Sequence, residues 1–264
     1  MQKSITFKNA NISFSDVGKG TAVVLIHGFL ENSTMWDKIV PALVKRNRVI
    51  TVDVLGHGKT DCLGYVHTMA LFAEAIIFVL KHLKLRKYFL VGHSLGGYIS
   101  LALAQKNTKQ IKGLCLLNST SNADDEERKK IRFRANKMIQ DNFSNLVRMS
   151  FVNLFGEKSR EHYKNEINLA LNEALQTPIQ GYIAANEGMR IRVNRNDVLA
   201  NNNFKKLFII GKNDPVLNSE SLIEEAKETN SEFVVLNGGH MSHIENREEL
   251  IFTLKGFLKS YKRQ

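Results

Sequence analysis

The sequence is poor in features that mark several large classes of protein. Only three prolines and no low-complexity tract occur among its 264 residues, which argues against a long disordered linker. No segment repeats at a fixed period, so solenoids and propellers are excluded. The first residues lack the basic start and apolar stretch of a secretory signal. The longest apolar run, 69–80, is too short to span a bilayer and contains Glu74, so a buried helix is expected.

Cysteine is also scarce. The two cysteines, Cys62 and Cys115, show no CxxC spacing and have no companion residues typical of a metal site. Both are therefore expected to be reduced thiols, Cys115 in a core strand. This usage predicts a cytoplasmic protein, and no metal ion is expected.

The chain is rich in positive charge, with a net charge of +11. Such a balance raises nucleic acid as a partner, but no aromatic-basic interleaving or nucleic-acid motif accompanies it. One local cluster stands out, formed by Arg128, Lys129, Lys130, Arg132, Arg134 and Lys137. A solvated helix face is expected there, and a docking patch for an acidic partner is the alternative. Neither nucleic acid nor a membrane is expected as a partner.

Short apolar segments alternate with helical patterns along most of the chain. Strands are predicted at 4–8, 11–16, 22–27, 48–53, 87–92, 111–118, 204–211 and 232–236. Helices are predicted at 34–46, 68–83, 95–105, 219–228 and 246–259. This alternation is typical of the α/β class, with a mostly parallel sheet and helices on both faces.

The alternation stops between about 120 and 200, where the chain is helical and charged without a convincing strand. We therefore expect a core domain from 1–119 and 201–264, and a helical cap or lid inserted at 120–200. Ligands of open α/β sheets bind at the carboxyl ends of the strands. The cap is expected to cover that edge.

A sharp turn with a serine follows the strand predicted at 87–92. Residues 92–96 read Gly-His-Ser-Leu-Gly, the G-x-S-x-G pattern, with a strand before it and a helix after it. On such a turn, a side chain at Gly92 or Gly96 is expected to collide with its neighbours. The turn would project the hydroxyl of Ser94 from the sheet as a nucleophile.

A serine hydroxyl needs a base, and the base needs an orienting carboxylate. His240 follows the last predicted strand after two glycines and is the expected base, with His243 as its rival. Asp214 follows the strand at 204–211 and is the expected orienting acid. The preceding strand ends at Asn118 and offers no carboxylate at that position, which favours Asp214. The chain order Ser, Asp, His is that of one of the known triad families.

Two backbone amides are candidates for binding an oxyanion. The amide of Leu95 follows the predicted nucleophile, and the amide of Phe29 follows Gly28 after a buried strand; Phe29 is favoured over Leu30. The segment 53–60 ends in Gly-Lys-Thr, but Asp53 stands where a Walker loop needs glycine. A turn-stabilising role for Asp53 is expected instead.

Together these motifs resemble the α/β-hydrolase superfamily over nearly the whole chain. They are His-Gly-Phe at 27–29, Trp36, D-x-x-G-x-G at 53–58, G-H-S-L-G-G at 92–97, Asn-Asp-Pro at 213–215 and Gly-His at 239–240. The resemblance implies an eight-stranded sheet, a helical cap, and hydrolysis without a cofactor through an acyl-enzyme. Family members with an aspartate nucleophile, such as haloalkane dehalogenases and epoxide hydrolases, are excluded by Ser94.

The expected activity is hydrolysis of a carboxylic ester with a small or medium, partly apolar acyl group. Esterases that cleave methyl esters from acyl carriers are included, and the basic cluster would suit an acidic carrier protein. The candidate pocket residues are Phe29, Leu30, Trp36, His93 and Met241. The same triad could instead serve C–C, amide or thioester hydrolysis or a haloperoxidase-type activity. A ligand-sensing receptor on this fold is an alternative of another class.

Overall fold

The structure is a computed structural model that describes residues 2–259. Every predicted strand is present, with ends within two residues of the prediction. Residue 1 and residues 260–264 of the predicted core domain lie outside the described residues. The strands are β1 (Gln2–Phe7), β2 (Ala10–Gly18), β3 (Thr21–Ile26), β4 (Asn47–Val52), β5 (Tyr88–His93), β6 (Ile111–Leu117), β7 (Lys205–Gly211) and β8 (Glu232–Leu236).

These strands form one mixed sheet in the order β1-β2-β4-β3-β5-β6-β7-β8. The β1–β2 and β2–β4 pairs are antiparallel, and the other neighbours are parallel. Parallel neighbours need long crossover connections, which the helices supply. Because parallel strands end at the same edge, the segments that follow β3, β5, β6, β7 and β8 come together there.

The helices lie in the connections between strands and, for the last two, after β8. They are α1 (Val40–Leu43), α2 (Met69–His82), α3 (Leu95–Asn107), α4 (Glu126–Val152), α5 (Glu157–His162), α6 (Lys164–Ala174), α7 (Ile179–Arg190), α8 (Asn196–Ala200), α9 (Ser219–Glu228), α10 (Ser242–Glu245) and α11 (Arg247–Leu258). None of the described helices combines the length and the apolarity needed to cross a membrane.

The prediction of a single helix at 34–46 is wrong. The chain forms a short 3₁₀ turn at Ser33–Trp36, begun by a hydrogen bond from the Thr34 amide to the Asn32 side chain, and then the four-residue α1. Pro41 explains the interruption, since its ring has no N–H and would clash with the preceding turn of a continuous helix.

Both faces of the sheet are covered, as the apolar strands predict. In β3, Val24 and Ile26 belong to the core that includes α2 and α3, and Val23 and Leu25 belong to the core that includes α11. All four side chains are fully buried. A continuous apolar run is what a strand covered on both sides requires.

A helical insertion, α4–α8, connects β6 to β7 and contains no strand, as predicted. It has an apolar core of its own, built from residues such as Ile139 and Phe151. The same core includes Leu30 and Met241 from loops at the edge of the sheet. The insertion therefore packs directly over that edge.

Candidate active site

Ser94 is the single residue between β5 and α3. Its φ is +49°, in a region that residues other than glycine rarely adopt. A Cβ at Gly92 would lie 2.2 Å from the carbonyl oxygen of Gly96, and a Cβ at Gly96 would lie 2.2 Å from that of Ile26. The expected collisions at both glycines are confirmed, and they explain why the turn is this tight.

His240 and Asp214 form a buried pair at the same edge of the sheet. His240 Nδ1 lies 2.7 Å from Asp214 Oδ2, and the two side chains are 4% and 0% exposed. Asp214 Oδ1 accepts hydrogen bonds from the amides of Val216 and Leu217. With the carboxylate facing Nδ1, the proton of a neutral imidazole is held at Nδ1, and Nε2 is left as the acceptor.

Asn118, at the end of β6, holds this pair in place. Its Nδ2 donates to Asp214 Oδ2 at 3.2 Å and to the Gly239 carbonyl at 3.1 Å, and its Oδ1 accepts from Ser242 at 2.7 Å. Burial would raise the pKa of Asp214, but the facing His240 and the two amides outweigh it, so the pKa is lowered. From the sequence alone, Asn118 is notable only because its position lacks a carboxylate.

Ser94 and His240 line one cavity of about 260 Å³ between the sheet edge and the helical insertion. Within residues 2–259 their side chains are not hydrogen-bonded to each other. Of the predicted pocket residues, Phe29, Leu30, His93 and Met241 line this cavity; the exception is Trp36.

The prediction that Trp36 lines the pocket is corrected by the structure. Its side chain is fully buried in the core on the α11 side of the sheet, together with Leu25, Ile39 and Leu250. The 3₁₀ turn that replaces the predicted helix directs Trp36 under the sheet instead of over its edge.

The predicted oxyanion donors are the backbone amides of Phe29 and Leu95, and both residues lie near Ser94. Among the described residues, the amides of Phe29 and Leu95 have no hydrogen-bond acceptor. The backbone just before Phe29 is held by hydrogen bonds at both the amide nitrogen and the carbonyl oxygen of Gly28. Its amide donates to Glu31 Oε2 at 2.6 Å, and its carbonyl accepts from His27 Nδ1 at 2.8 Å. The Nδ1 of His27 is the donor because its Nε2 accepts from the Val54 amide.

A family model described as the alpha/beta hydrolase fold matches residues 21–247. The chain belongs to this family. The matched residues include the serine turn, the helical insertion and the loops that carry Asp214 and His240.

Individual relatives of this hydrolase agree with the family match. It is 27% identical over 258 residues to 3-oxoadipate enol-lactonase 1 of Acinetobacter baylyi, covering 96% of this chain and 94% of the relative. It is 25% identical over 259 residues to the pimeloyl-(acyl-carrier protein) methyl ester esterase of Aeromonas hydrophila, covering 94% and 99%. A solved thermophilic esterase from Thermogutta terrifontis superimposes with a TM-score of 0.92 at 27% identity over 98% of both chains.

A second buried acid–histidine pair lies beside Ser94 in the hydrolase, and sequence reasoning missed it. Glu31 Oε2 lies 2.7 Å from His93 Nδ1, and His93 Nε2 lies 2.9 Å from the carbonyl oxygen of His240. The pair therefore connects the Gly28 loop to the His240 loop. The available signal was an acidic residue in the otherwise apolar Gly-Phe-Leu-Glu segment, close to the predicted oxyanion donor.

Electrostatics favour the charged form of this pair. Burial would lower the pKa of His93, but the adjacent Glu31 carboxylate outweighs it and raises the pKa. Burial would likewise raise the pKa of Glu31, and the facing His93 lowers it. His243, the rival base, lies 3.8 Å from Glu31 Oε1, and burial lowers its pKa to about 4.

Glu31, His93 and His243 could in principle hold a metal ion, because their donor atoms lie within 4.8 Å of one another. Glu31 Oε2 and both ring nitrogens of His93 are already hydrogen-bonded. An ion would have to displace these bonds, and we assign none.

Asp53 organises the loop that follows β4. Its Oδ1 accepts from the Ser33 amide at 2.8 Å, its Oδ2 accepts from the Lys59 amide at 3.0 Å, and its carbonyl accepts from Thr60. The expected turn-stabilising role is confirmed.

The basic cluster does not form one uniform solvated face. Arg132 turns inward and lines the cavity, where it pairs with Asp124. Arg128 donates to the Val216 carbonyl, and Lys129 pairs with Glu126. The helix that carries the cluster therefore contributes to the cavity wall as well as to the surface.

Proposed function

We propose that this hydrolase cleaves carboxylic esters, with Ser94 as nucleophile, His240 as general base and Asp214 as the residue that orients the base. The observation that carries the proposal is the hydrogen-bonded His240–Asp214 pair at the cavity into which the strained Ser94 turn opens. The Ser–His hydrogen bond of such sites is often long before substrate binds and tightens in the complex.

In the proposed reaction, Ser94 Oγ attacks the ester carbonyl carbon and its proton passes to His240 Nε2. Asp214 stabilises the imidazolium that results and keeps Nδ1 protonated throughout. His240 then donates the proton to the departing alkoxide, and the alcohol leaves. Water, deprotonated by the same imidazole, cleaves the acyl-enzyme and regenerates the serine.

The negative charge of the tetrahedral intermediate is proposed to rest on the amides of Phe29 and Leu95. The absence of an acceptor for either amide among the described residues supports this assignment. The loss of one such donor typically costs on the order of 3 kcal/mol of transition-state stabilisation.

The insertion at 120–200 is proposed to act as the lid over a core domain formed by the rest of the chain. It supplies one wall of the cavity, whose volume of about 260 Å³ suits a small or medium acyl group. The similarity to two esterases and an enol-lactonase supports an ester or lactone as the substrate. Cytoplasmic location and an acidic carrier partner stay predictions.

Labelling with a fluorophosphonate tests the proposal, because this reagent forms a covalent adduct with an activated serine. We expect an adduct at Ser94 by mass spectrometry and no adduct in Ser94→Ala, with ester turnover reduced about 10⁴-fold or more. Ser150→Ala is the matched control, since Ser150 lines the same cavity outside the turn and should not affect labelling.

Two results would contradict the proposal. Labelling that persists in Ser94→Ala would mean that another residue is the nucleophile. Tight ligand binding without labelling or turnover would favour the receptor alternative. Substrate panels with amide, thioester and C–C bonds distinguish the other reactions that the same triad could perform.

A further inference from the structure

One wall of the active-site cavity carries a fixed positive charge. Arg132, on α4, lines the cavity, and its side chain is only 16% exposed. Its Nε lies 2.5 Å from Asp124 Oδ2, and its Nη1 donates to Asn186 Oδ1 at 3.0 Å. Two hydrogen bonds from two different segments hold the guanidinium in one position, so it is ordered before any ligand arrives.

Asp124 does not fully neutralise this charge, because it is shared. Arg192 Nη1 lies 2.6 Å from Asp124 Oδ1, and the Arg192 side chain is 3% exposed. Two guanidinium groups, that of Arg192 buried and that of Arg132 half-buried, thus face one buried carboxylate, which leaves one positive charge in excess. Glu31 is the one acidic side chain that the described residues contribute to the cavity lining, and it is already paired with His93.

Two tyrosine hydroxyls accompany the charge. Tyr98 and Tyr182 are buried and line the cavity, and neither hydroxyl has a hydrogen-bond partner in the part of the chain described. Arg192 stacks on the Tyr98 ring at 4.0 Å, which places that ring beside the arginine pair. Burial raises the pKa of Tyr182, and the nearby charge of Arg132 opposes this rise. Neither hydroxyl oxygen is among the fully buried polar atoms of the described residues that lack a partner, so both are accessible and available to a ligand.

These donors lie close to the proposed nucleophile. Tyr98 is four residues after Ser94 on α3, about one helical turn or roughly 6 Å along the axis. The ring of Tyr182 contacts the ring of Phe29, with 4.9 Å between centroids. A ligand group held by these donors would therefore lie only a few bonds from a carbonyl that Ser94 attacks.

The rest of the lining is largely apolar, with side chains such as Phe151, Leu154, Met189 and Val216. An uncharged alkyl ester would leave the excess positive charge of the arginine pair uncompensated and both tyrosine hydroxyls without an acceptor, at a cost in binding. A carboxylate accepts from all three, and arginine is the side chain best suited to bind it.

We infer that the substrate is a short ester or lactone that carries a second group, a carboxylate, which Arg132, Tyr98 and Tyr182 bind. The inference rests on the proposed function and narrows it. The carboxylate fixes the ester carbonyl over Ser94, and the apolar walls hold the short chain between the two groups.

Matched ester pairs test this inference. The monomethyl esters of succinic, glutaric and adipic acid are compared with methyl butanoate, pentanoate and hexanoate, which replace the carboxylate by a methyl group. We expect kcat/KM of the wild type to be at least tenfold higher for the charged member at the best chain length.

Variants assign the preference to named residues. Arg132→Met should reduce the charged-to-neutral ratio of kcat/KM about tenfold or more, and Tyr98→Phe should reduce it several-fold. Arg148→Met removes the same charge from an exposed position of α4 outside the cavity lining and should leave the ratio unchanged. If Arg132→Met does not fold, Tyr98→Phe and Tyr182→Phe decide the question.

The outcomes separate this inference from the proposed function. A ratio near one in the wild type, or equal ratios in wild type and variants, would overturn the inference even though esters are cleaved. Labelling of Ser94 without turnover of any charged ester would also overturn it. Absence of both labelling and turnover would remove the proposed function itself.

Discussion

His93 has an acceptor facing each of its ring nitrogens, the Glu31 carboxylate at Nδ1 and the His240 carbonyl at Nε2. Only a doubly protonated imidazolium donates to both. The charges of His93 and Glu31 then cancel each other beside the amide of Phe29. The pair can fix two loops around the proposed nucleophile without adding net charge where an oxyanion would form.

Replacing Glu31 by glutamine should destabilise the fold by about 2–3 kcal/mol at pH 6, because a buried carboxylate paired with His93 is lost. The raised pKa of His93 fixes the sign of the pH dependence. The contribution of the protonated His93 to the free energy of unfolding is full below about pH 6.5 and is lost as pH rises through the raised pKa of His93. The difference in the free energy of unfolding between the wild type and Glu31→Gln should therefore become smaller toward pH 9.

Urea unfolding at pH 6 and pH 9 measures this difference, with Glu161→Gln as the control because Glu161 is an exposed acid on α5. Nitrogen chemical shifts of labelled histidine report His93 directly and should show two protonated nitrogens at pH 7. A neutral His93 in the wild type, or equal losses in both variants, would contradict the assignment.

The positions of residues that belong to a local motif could be predicted, and those of residues that depend on distant partners could not. Ser94, Asp214 and His240 each follow a strand, and their positions at one edge follow from the parallel sheet. Glu31 is different, since its partner His93 is 62 residues away. The same holds for Asn118, whose bond to Asp214 spans 96 residues.

Helix α7 is the element that fixes one wall of the cavity, because it carries Tyr182, Asn186 and Met189. It approaches the loop after β4 without side chains in between. A Cβ at Gly181 would lie 2.1 Å from the carbonyl oxygen of Gly56. The His67 amide also donates to the Ala184 carbonyl at 2.9 Å, so the helix and the loop are in backbone contact.

Gly188→Ala should move α7 away from this loop, because a Cβ at Gly188 would lie 1.8 Å from the carbonyl oxygen of His67. The stability loss should be about 2–3 kcal/mol, and ester kcat/KM should fall at least tenfold as the wall shifts. Thermal unfolding and ester kinetics measure the two effects.

Gly256→Ala is the matched control for Gly188→Ala. Gly256 also lies inside a helix, α11, and an added Cβ there would meet nothing within 4 Å. Alanine should stabilise the helix by about 0.5–1 kcal/mol and leave kinetics unchanged. Similar effects of the two substitutions would refute the close contact at α7.

The inner strands, such as β3 and β5, were predictable because an apolar run bounded by turns specifies a strand buried on both faces. The structure of the connection after β3 was not predictable, because Pro41 and the Asn32 cap override its helical periodicity. The helices of the insertion could be predicted as helices. Their arrangement depends on close contacts such as Gly188 with His67, which no local pattern indicates.

Buried histidines make the whole molecule sensitive to acid. Burial lowers the pKa of His57 to about 3 and of His67 and His243 to about 4. In the unfolded chain these imidazoles bind protons near pH 6.5. Since their pKa values are depressed in the folded state, their stabilisation is full above pH 6.5 and is lost as pH falls toward 4.

The free energy of unfolding should fall by on the order of 3–5 kcal/mol between pH 7 and pH 5, as the unfolded state takes up protons that the folded state excludes. Urea unfolding between pH 7 and pH 5 measures the slope of the free energy of unfolding against pH. His57→Gln and His67→Gln should each reduce this slope relative to the wild type. His82→Gln is the control, because this histidine is exposed at the end of α2. A slope unchanged in both variants would contradict the account.

The helical insertion leaves the sheet after β6 and returns at β7, and these two strands are direct neighbours in register, with Leu117 opposite Ile209. A single crossover helix would suffice to join them. Residues 118–204 are therefore an excursion whose two ends are anchored side by side. Selection can rebuild this segment, and with it Arg132 and Tyr182, without altering the order or pairing of the strands that precede Ser94, Asp214 and His240. The part of the cavity wall that the insertion supplies is in this way encoded separately from the strands, whereas Phe29 and Tyr98 of the same wall belong to the core.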